Sequence, residues 1–239
     1  MIETLLARIE ARDPLADRER DALVDAFDSP TLVGSGRVFI RQGQRLDRST
    51  LLLSGLVGRF KDLSRGERQI SALHIPGDFV DLHSFSLKAL DHNVVALAPC
   101  MVAAIPHTRL ENLTREHPHL TRLLWFLTNV DAAMHREWEL SLGRRDAVAR
   151  IAHLFCELRA RLEIVGLVDE GGYTLPLSQA ALAECTGLTP VHVNRTLKQL
   201  RERDLVEFRQ KWVCIKDFQG LQQVAEFDPA YLYLRPECQ

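Results

Sequence analysis

Cysteine is scarce in this 239-residue chain: Cys100, Cys156, Cys185, Cys214 and Cys238 are the five, none closer than 24 positions to the next. No Cys-x-x-Cys pair is available to grip zinc or form a redox couple, so the thiols are expected to be reduced, small core hydrophobes. Long apolar runs are missing too. The longest weakly polar stretch, Asn93 to Pro106, is too short to span a bilayer and contains Pro99, which leaves no transmembrane helix. The opening residues mix acidic and basic side chains without an apolar segment, so no secretory signal is expected, and the chain is placed in the cytoplasm with no membrane partner. No sign of charge dominates: 30 Lys and Arg face 32 Asp and Glu, a net of −2. Internal repeats and low-complexity linkers are absent.

What is present is globular material, 46% hydrophobic and 26% charged, enough to fill a core in each of two domains. The charge is unevenly placed. Between Thr189 and Lys216 seven Lys and Arg stand against three acids, net +4 in 28 residues, the footprint expected of phosphate binding. Residues 1–28 form a helical flank broken at Pro14. From Leu32 to Ile105, short apolar runs such as VFI, TLLL, LVGRF and CMVAAI alternate with turn residues, which predicts a small barrel or jelly roll over 29–110. Thr108 to Glu111 has capping-box spacing for a helix start. Pro118 suits the first turn of a second, longer helix, so a long helix is expected over 111–143. Leu120, Leu123, Leu124, Leu127, Val130, Met134 and Trp138 recur at three and four along it. This stripe is expected to pair with its twin in a homodimer, the alternative being burial against its own barrel.

The remaining residues, 144–239, carry the most specific pattern. Ser178 caps a short helix that Gly187 ends, and Thr189-Pro190 caps and starts a second one. Small Ala183 lets the two helices cross closely over Leu182, Leu188, Val193 and Leu197, a helix-turn-helix pattern. A second helix of this kind in a major groove would face DNA with Thr189, Pro190, Val191, His192, Asn194, Arg195 and Lys198. Arg195 is the expected base reader, because its fork matches O6 and N7 of guanine, while Ser178, Thr189 and Lys198 suit phosphates. Two alternating runs around Arg209-Gln210-Lys211 predict a basic wing in which Arg209 and Lys211 reach DNA. The fold class is therefore α+β: a jelly-roll barrel, a long dimerisation helix and a winged helix-turn-helix.

This order of parts resembles the Crp/Fnr family of bacterial transcription regulators. Besides the helix-turn-helix, Gln42-Gly43, Leu51 to Val57 and Pro76-Gly77-Asp78-Phe79-Val80 are similar to the turn and strand signatures of the family's cyclic-nucleotide-binding-type barrel. The resemblance implies a homodimer on a palindromic double-stranded operator, and RNA polymerase as a partner of any activator. It also implies an effector pocket around Gly77, Asp78, Phe79, Asp81, His83 and Ser84. Cyclic-AMP-binding members place a Glu and then an Arg after this turn, whereas here the two segments read Val80-Asp81-Leu82-His83-Ser84 and Leu90-Asp91-His92-Asn93. Neither holds an arginine, so a buried phosphate would lack a cation, and cyclic AMP is not expected. An iron-sulfur cluster would need N-terminal cysteines, yet the first is Cys100. His74 or His83 as axial ligands are too little to predict haem. No cofactor or metal is therefore expected, and an unidentified small effector, or none, remains.

An enzyme is not expected. A cupin-like metal site would need a His-x-His pair with a Glu partner, and neither a Gly-x-Ser-x-Gly elbow nor a phosphate-binding glycine loop occurs. A dimerising or ligand-binding module without DNA binding is the other alternative, and intact Ser178, Gly187, Thr189, Asn194 and Arg195 speak against it.

Overall fold

The computed structural model describes residues 1–234. Helices α1 (Glu3–Glu10) and α2 (Asp17–Asp25) flank the break at Pro14. Strands β1 (Thr31–Val33), β2 (Val38–Ile40), β3 (Arg48–Ser54), β4 (Val57–Asp62) and β5 (Arg68–His74) follow, then the single turn α3 (Ser84–Leu87), β6 (Asn93–Ala96) and β7 (Cys100–Pro106). These seven strands make two antiparallel sheets, ordered β1-β7-β3 and β2-β6-β4-β5. Val33, Ile40, Leu52, Val57, Val94, Ala96 and Val102 come from both sheets and share one core, so the sheets face each other as a jelly-roll sandwich. The turn at Gly77 (φ +93°) presses on the N-terminal flank, where a Cβ would stand 2.8 Å from the carbonyl oxygen of Thr4. Only glycine allows both that backbone and that approach.

β7 runs straight into α4 (His107–Glu116), followed by α5 (Pro118–Arg144). The capping box expected at Thr108 is not formed. The N-cap of α4 is Pro106, which offers no side-chain cap, and the His107 N–H donates to the Asp47 carbonyl at 2.7 Å. With no loop between strand and helix, a neighbouring backbone satisfies the orphan amide that a capping hydroxyl serves elsewhere. Pro118 does occupy the first turn of α5, and the helix continues one residue past Gly143 before Asp146 caps α6 (Ala147–Ile164).

The seven stripe residues of α5 are not a free seam, which corrects the dimer assignment made for them. Leu120, Leu123, Leu124, Leu127, Val130, Met134 and Trp138 are all buried within the single chain. The first four pack with α1, α2 and α4, and Met134 and Trp138 pack with β4, β5 and α6. The stripe's partner is its own chain, because the N-terminal flank supplies Ile2, Leu5, Leu6, Ile9 and Leu23 to cover it.

The C-terminal part holds β8 (Gly172–Thr174), α7 (Gln179–Thr186), α8 (Pro190–Glu202), β9 (Val206–Arg209), β10 (Trp212–Ile215), α9 (Phe218–Ala225) and a 3₁₀ turn at Pro229–Leu232. The wing is a three-stranded sheet, β8-β10-β9, rather than a lone hairpin. This unit rests on the barrel: Gln69 of β5 donates to the carbonyls of Glu184 (2.7 Å) and Cys185 (3.3 Å) in α7. Arg150 of α6 donates to the carbonyls of Ser141, Leu142 and Arg145 at the end of α5 and of Thr186 at the end of α7. One guanidinium thus satisfies the carbonyl ends of both helices.

Candidate nucleic-acid interface and sensor cavity

The helix-turn-helix is built as its sequence dictates. The Ser178 hydroxyl accepts from Ala181 N–H at 3.0 Å and the Thr189 hydroxyl from His192 N–H at 3.2 Å, so both caps are made. Gly187 ends α7 in the left-handed region, φ +62°. Leu182 and Val193 are fully buried between the helices, and Ala183 and Thr196 are buried beside them. With that wedge inward, Thr189, Pro190, Val191, Asn194, Arg195 and Lys198 are exposed and His192 is half-buried. Val191 is 80% exposed, an apolar tip of the kind that meets a thymine methyl. Among the described residues Arg195 has no hydrogen bond or ion pair, so its fork is free. Lys198 lies 3.6 Å from Glu202, and Arg209 Nε 2.6 Å from Glu207. At the wing tip Gln210 (φ +50°) and Lys211 (φ +64°) form a two-residue turn with both residues in the left-handed region, the twist a tight hairpin requires. Ser178, Arg209 and Lys211 are exposed as well.

The sensor side departs further from expectation. Of the six expected pocket residues, Asp78, Phe79 and His83 line a cavity between barrel and α5, together with Arg8, His74, Leu82, Leu127, Thr128, Asp131 and Met134. Its volume is about 20 Å³, room for a water but not for a nucleotide. Gly77, Asp81 and Ser84 lie elsewhere: Gly77 against α1, Asp81 accepting from Thr50 N–H, and Ser84 3.2 Å from His107 Nε2. Burial pushes the Asp81 carboxyl up to about 7, against the Thr50 hydrogen bond and Arg59. Burial and Arg59 together take His83 down to about 4, which keeps its ring neutral.

The sequence reading missed the charged groups that fill this region. A guanidinium is present after all, because Arg59 of β4 points inward on the same face as Val57. Its Nη1 donates to Asp131 Oδ2 at 3.0 Å and lies 2.7 Å from His135 Nε2, and its Nη2 donates to the Val80 carbonyl at 3.2 Å. Asp131 is itself mostly buried, yet Arg59, His74 and His135 outweigh that burial and hold it below the usual carboxylate range. A second buried group joins three parts of the chain: Arg161 of α6 donates to Asp78 (2.6 Å), Glu157 (3.0 Å) and the Leu73 carbonyl (2.9 Å), and Arg8 of α1 pairs with Asp78. Strand alternation from Val57, and the i, i+4 spacing of Glu157 and Arg161 along an apolar helix face, were the available signals. Cys100, Cys156 and Cys185 are buried free thiols and Cys214 is half-buried; Cys238 lies outside the described residues. Among the described residues no group of three or more metal-ligating side chains converges, and no helix is long and apolar enough to cross a membrane.

A sheet sandwich tied by a long helix to a winged helix with an exposed, basic second helix defines a two-domain DNA-binding regulator. Residues 32–117 match the cyclic nucleotide-binding domain family and residues 149–224 the Crp-like helix-turn-helix domain family. The chain is 28% identical to the transcriptional activator protein FnrA of Stutzerimonas stutzeri, over 85% of this chain and 83% of that protein. It is 27% identical to the transcriptional activator protein FnrL of Cereibacter sphaeroides, over 81% and 79%. The solved structure of FixK2 from Bradyrhizobium japonicum superposes with a TM-score of 0.75 at 25% identity, covering 82% of this chain and 96% of that one. The chain belongs to the Crp/Fnr family of transcription regulators and is a DNA-binding regulator of that type.

Proposed function

We propose that two copies of this chain bind a palindromic operator, each placing the exposed side of α8 in the major groove. The observation that carries this is the free Arg195 fork beside the solvent-facing Val191, a donor pair for guanine next to an apolar contact for thymine. Thr189, Pro190, His192, Asn194 and Lys198 surround them, and Ser178, Arg209 and Lys211 serve the backbone phosphates. Twofold symmetry would set the two α8 helices about 34–36 Å apart.

The pairing surface in this reading is the outward side of α5. Arg122, Trp125, Asn129, Ala132, Arg136, Glu139 and Gly143 are all exposed and recur at three and four, the spacing of a coiled-coil seam. Trp125 is 66% exposed, and small Ala132 and Gly143 allow close approach. The division of labour is a flank at 1–28, a sensor at 29–110, a pairing part at 111–143 whose long helix is α5 and begins only at Pro118, and a DNA-binding part from 144 onward. A cyclic nucleotide does not suit the sensor, whose cavity of about 20 Å³ is too small for it. The same volume disfavours haem on His74 or His83, and among the described residues the thiols are scattered and mostly buried, which speaks against an iron-sulfur cage. RNA polymerase would be a partner if the operator lies at an activated promoter.

Selection of bound duplexes from a random pool, followed by titration of the selected duplex at two salt concentrations, tests the reading. A half-site repeated with inversion and a steep salt dependence are expected. Arg195→Ala should lower affinity for the selected duplex about 10- to 100-fold while leaving random-duplex binding nearly unchanged. Equal losses on both would remove Arg195 from base reading, and weak binding with a flat salt response would favour a module that no longer uses DNA. Trp125→Glu should yield monomers by analytical ultracentrifugation.

A further inference from the structure

We propose that the barrel is liganded from within: the Asp131 carboxylate of α5 occupies the anion seat formed by the buried Arg59 of β4, a seat that a small-molecule anion could take in its absence. The inference rests on reading the barrel as the sensor of a DNA-binding regulator. Arg59 is 3% exposed, and a guanidinium that deep in a sandwich needs an anion. Asp131 supplies it at 3.0 Å from a different element, the long helix that leads to the DNA-binding part. Arg8, Arg59 and Arg161 meet Asp78, Asp131 and Glu157 here, with the buried Asp81 carboxyl a fourth acid beside them, so among the described residues each of the three cations has a carboxylate partner. An anion from outside would have to displace one of these carboxylates. Asp131 is the one reachable, its side chain 24% exposed against 3% for Asp78 and 0% for Glu157. Nε of Arg59 has no partner among the described residues, so the guanidinium keeps a donor in reserve for a carboxylate with two free oxygens. The ligand class that fits is a small carboxylate the size of the aspartate side chain. The cavity of about 20 Å³ beside it holds water and leaves no space for a nucleoside.

The internal pair ties the barrel to α5 within the chain itself, so DNA binding should need no added small molecule. The test is chemical rescue. Asp131→Ala empties the seat and should lower Tm by about 10 °C. About 20 mM sodium acetate, set against sodium chloride of equal ionic strength, should restore about half of that loss, as expected of a millimolar site. Asp131→Asn, whose amide still fills the space, should gain little from acetate. The double variant Arg59→Ala/Asp131→Ala should gain nothing specific, and wild-type Tm should not respond to acetate or cyclic AMP. Acetate acting no better than chloride on Asp131→Ala, failure of that variant to fold in either salt, an equal response in the double variant, or a rise of several degrees with cyclic AMP in the wild type would each overturn the proposal. DNA titration forms a separate arm: its failure would sink the function proposed above while leaving the acetate result to stand.

Discussion

Arginine is used in opposite ways at the two ends of this molecule. In and around the sandwich, Arg59 and Arg161 are buried and Arg8 is half-buried, and each is matched by a carboxylate of the same chain. On the winged helix, Arg195 stands in solvent with no partner among the described residues. Coulomb attraction is strong where water is excluded and weak where it is not, so the buried arginines tie elements together and the exposed one is available to a polyanion. Mutations should therefore separate stability from recognition cleanly, and the expected effects can be ranked by burial.

The largest belongs to Asp78, which holds both Arg8 and Arg161 and accepts from Ile75 N–H at 2.9 Å. Asp78→Ala takes the carboxylate from half-buried Arg8, leaves buried Arg161 with Glu157 as its one remaining carboxylate, and should cost about 3–5 kcal/mol in urea denaturation. Arg195→Ala should change stability by about 0.5 kcal/mol or less. Similar losses in the two variants would erase the distinction between the regions.

A smaller effect depends on pH. Burial raises the Asp81 carboxyl to about 7 in the fold from an ordinary value of 3.8, so the folded state binds the proton more tightly than the unfolded state. That contribution is fully present below about pH 4 and is lost as pH rises through about 7. Asp81→Asn keeps the acceptor for Thr50 N–H and removes the titration. It should be more stable than wild type at pH 8 by about 1–3 kcal/mol, with little difference at pH 4. Parallel stability profiles across that range would show that Asp81 does not titrate there.

The same division by burial explains what the sequence made legible. The helix-turn-helix depends on local rules, namely caps at Ser178 and Thr189, a left-handed Gly187 and a small Ala183, and each operates within a few residues. The strands of the sandwich were equally visible through their alternation. Which element covers the α5 stripe was not visible, because Leu120 and Leu127 want any apolar surface, and the competition between a twin helix and the flank at Ile2 to Leu23 is settled in three dimensions. The Arg59–Asp131 pair joins residues 72 positions apart, and nothing in either segment names the other. Only the oddity of a charge in the apolar run Leu56 to Phe60 hinted at it.

The wing sharpens the comparison at lower energy. Gln210 and Lys211 both hold positive φ without being glycine or asparagine, at a cost of about 1 kcal/mol each. Gln210→Asn suits that turn and should raise stability by about 0.5 kcal/mol with DNA affinity unchanged. Lys211→Gly should stabilise the hairpin by a similar amount yet weaken binding to every duplex and reduce the salt slope by about 1. If Lys211→Gly left the salt slope untouched, the strained turn would have no part in holding phosphate.

The smallest effect concerns the acids that partner basic residues on the exposed surface. Glu207 lies 2.6 Å from Arg209 Nε, and Arg209 is two-thirds exposed. A pair so open to water adds little to stability, so Glu207→Gln should shift it by about 0.5 kcal/mol or less. Its effect should appear on DNA instead. Removing the carboxylate takes away a repulsion toward phosphate and frees the guanidinium, so affinity should rise a few-fold on selected and random duplexes alike. Because the gain comes from the backbone and not from bases, the selectivity ratio should stay constant. A gain confined to the selected duplex would instead place Arg209 against a base edge, and the wing would then take part in reading sequence.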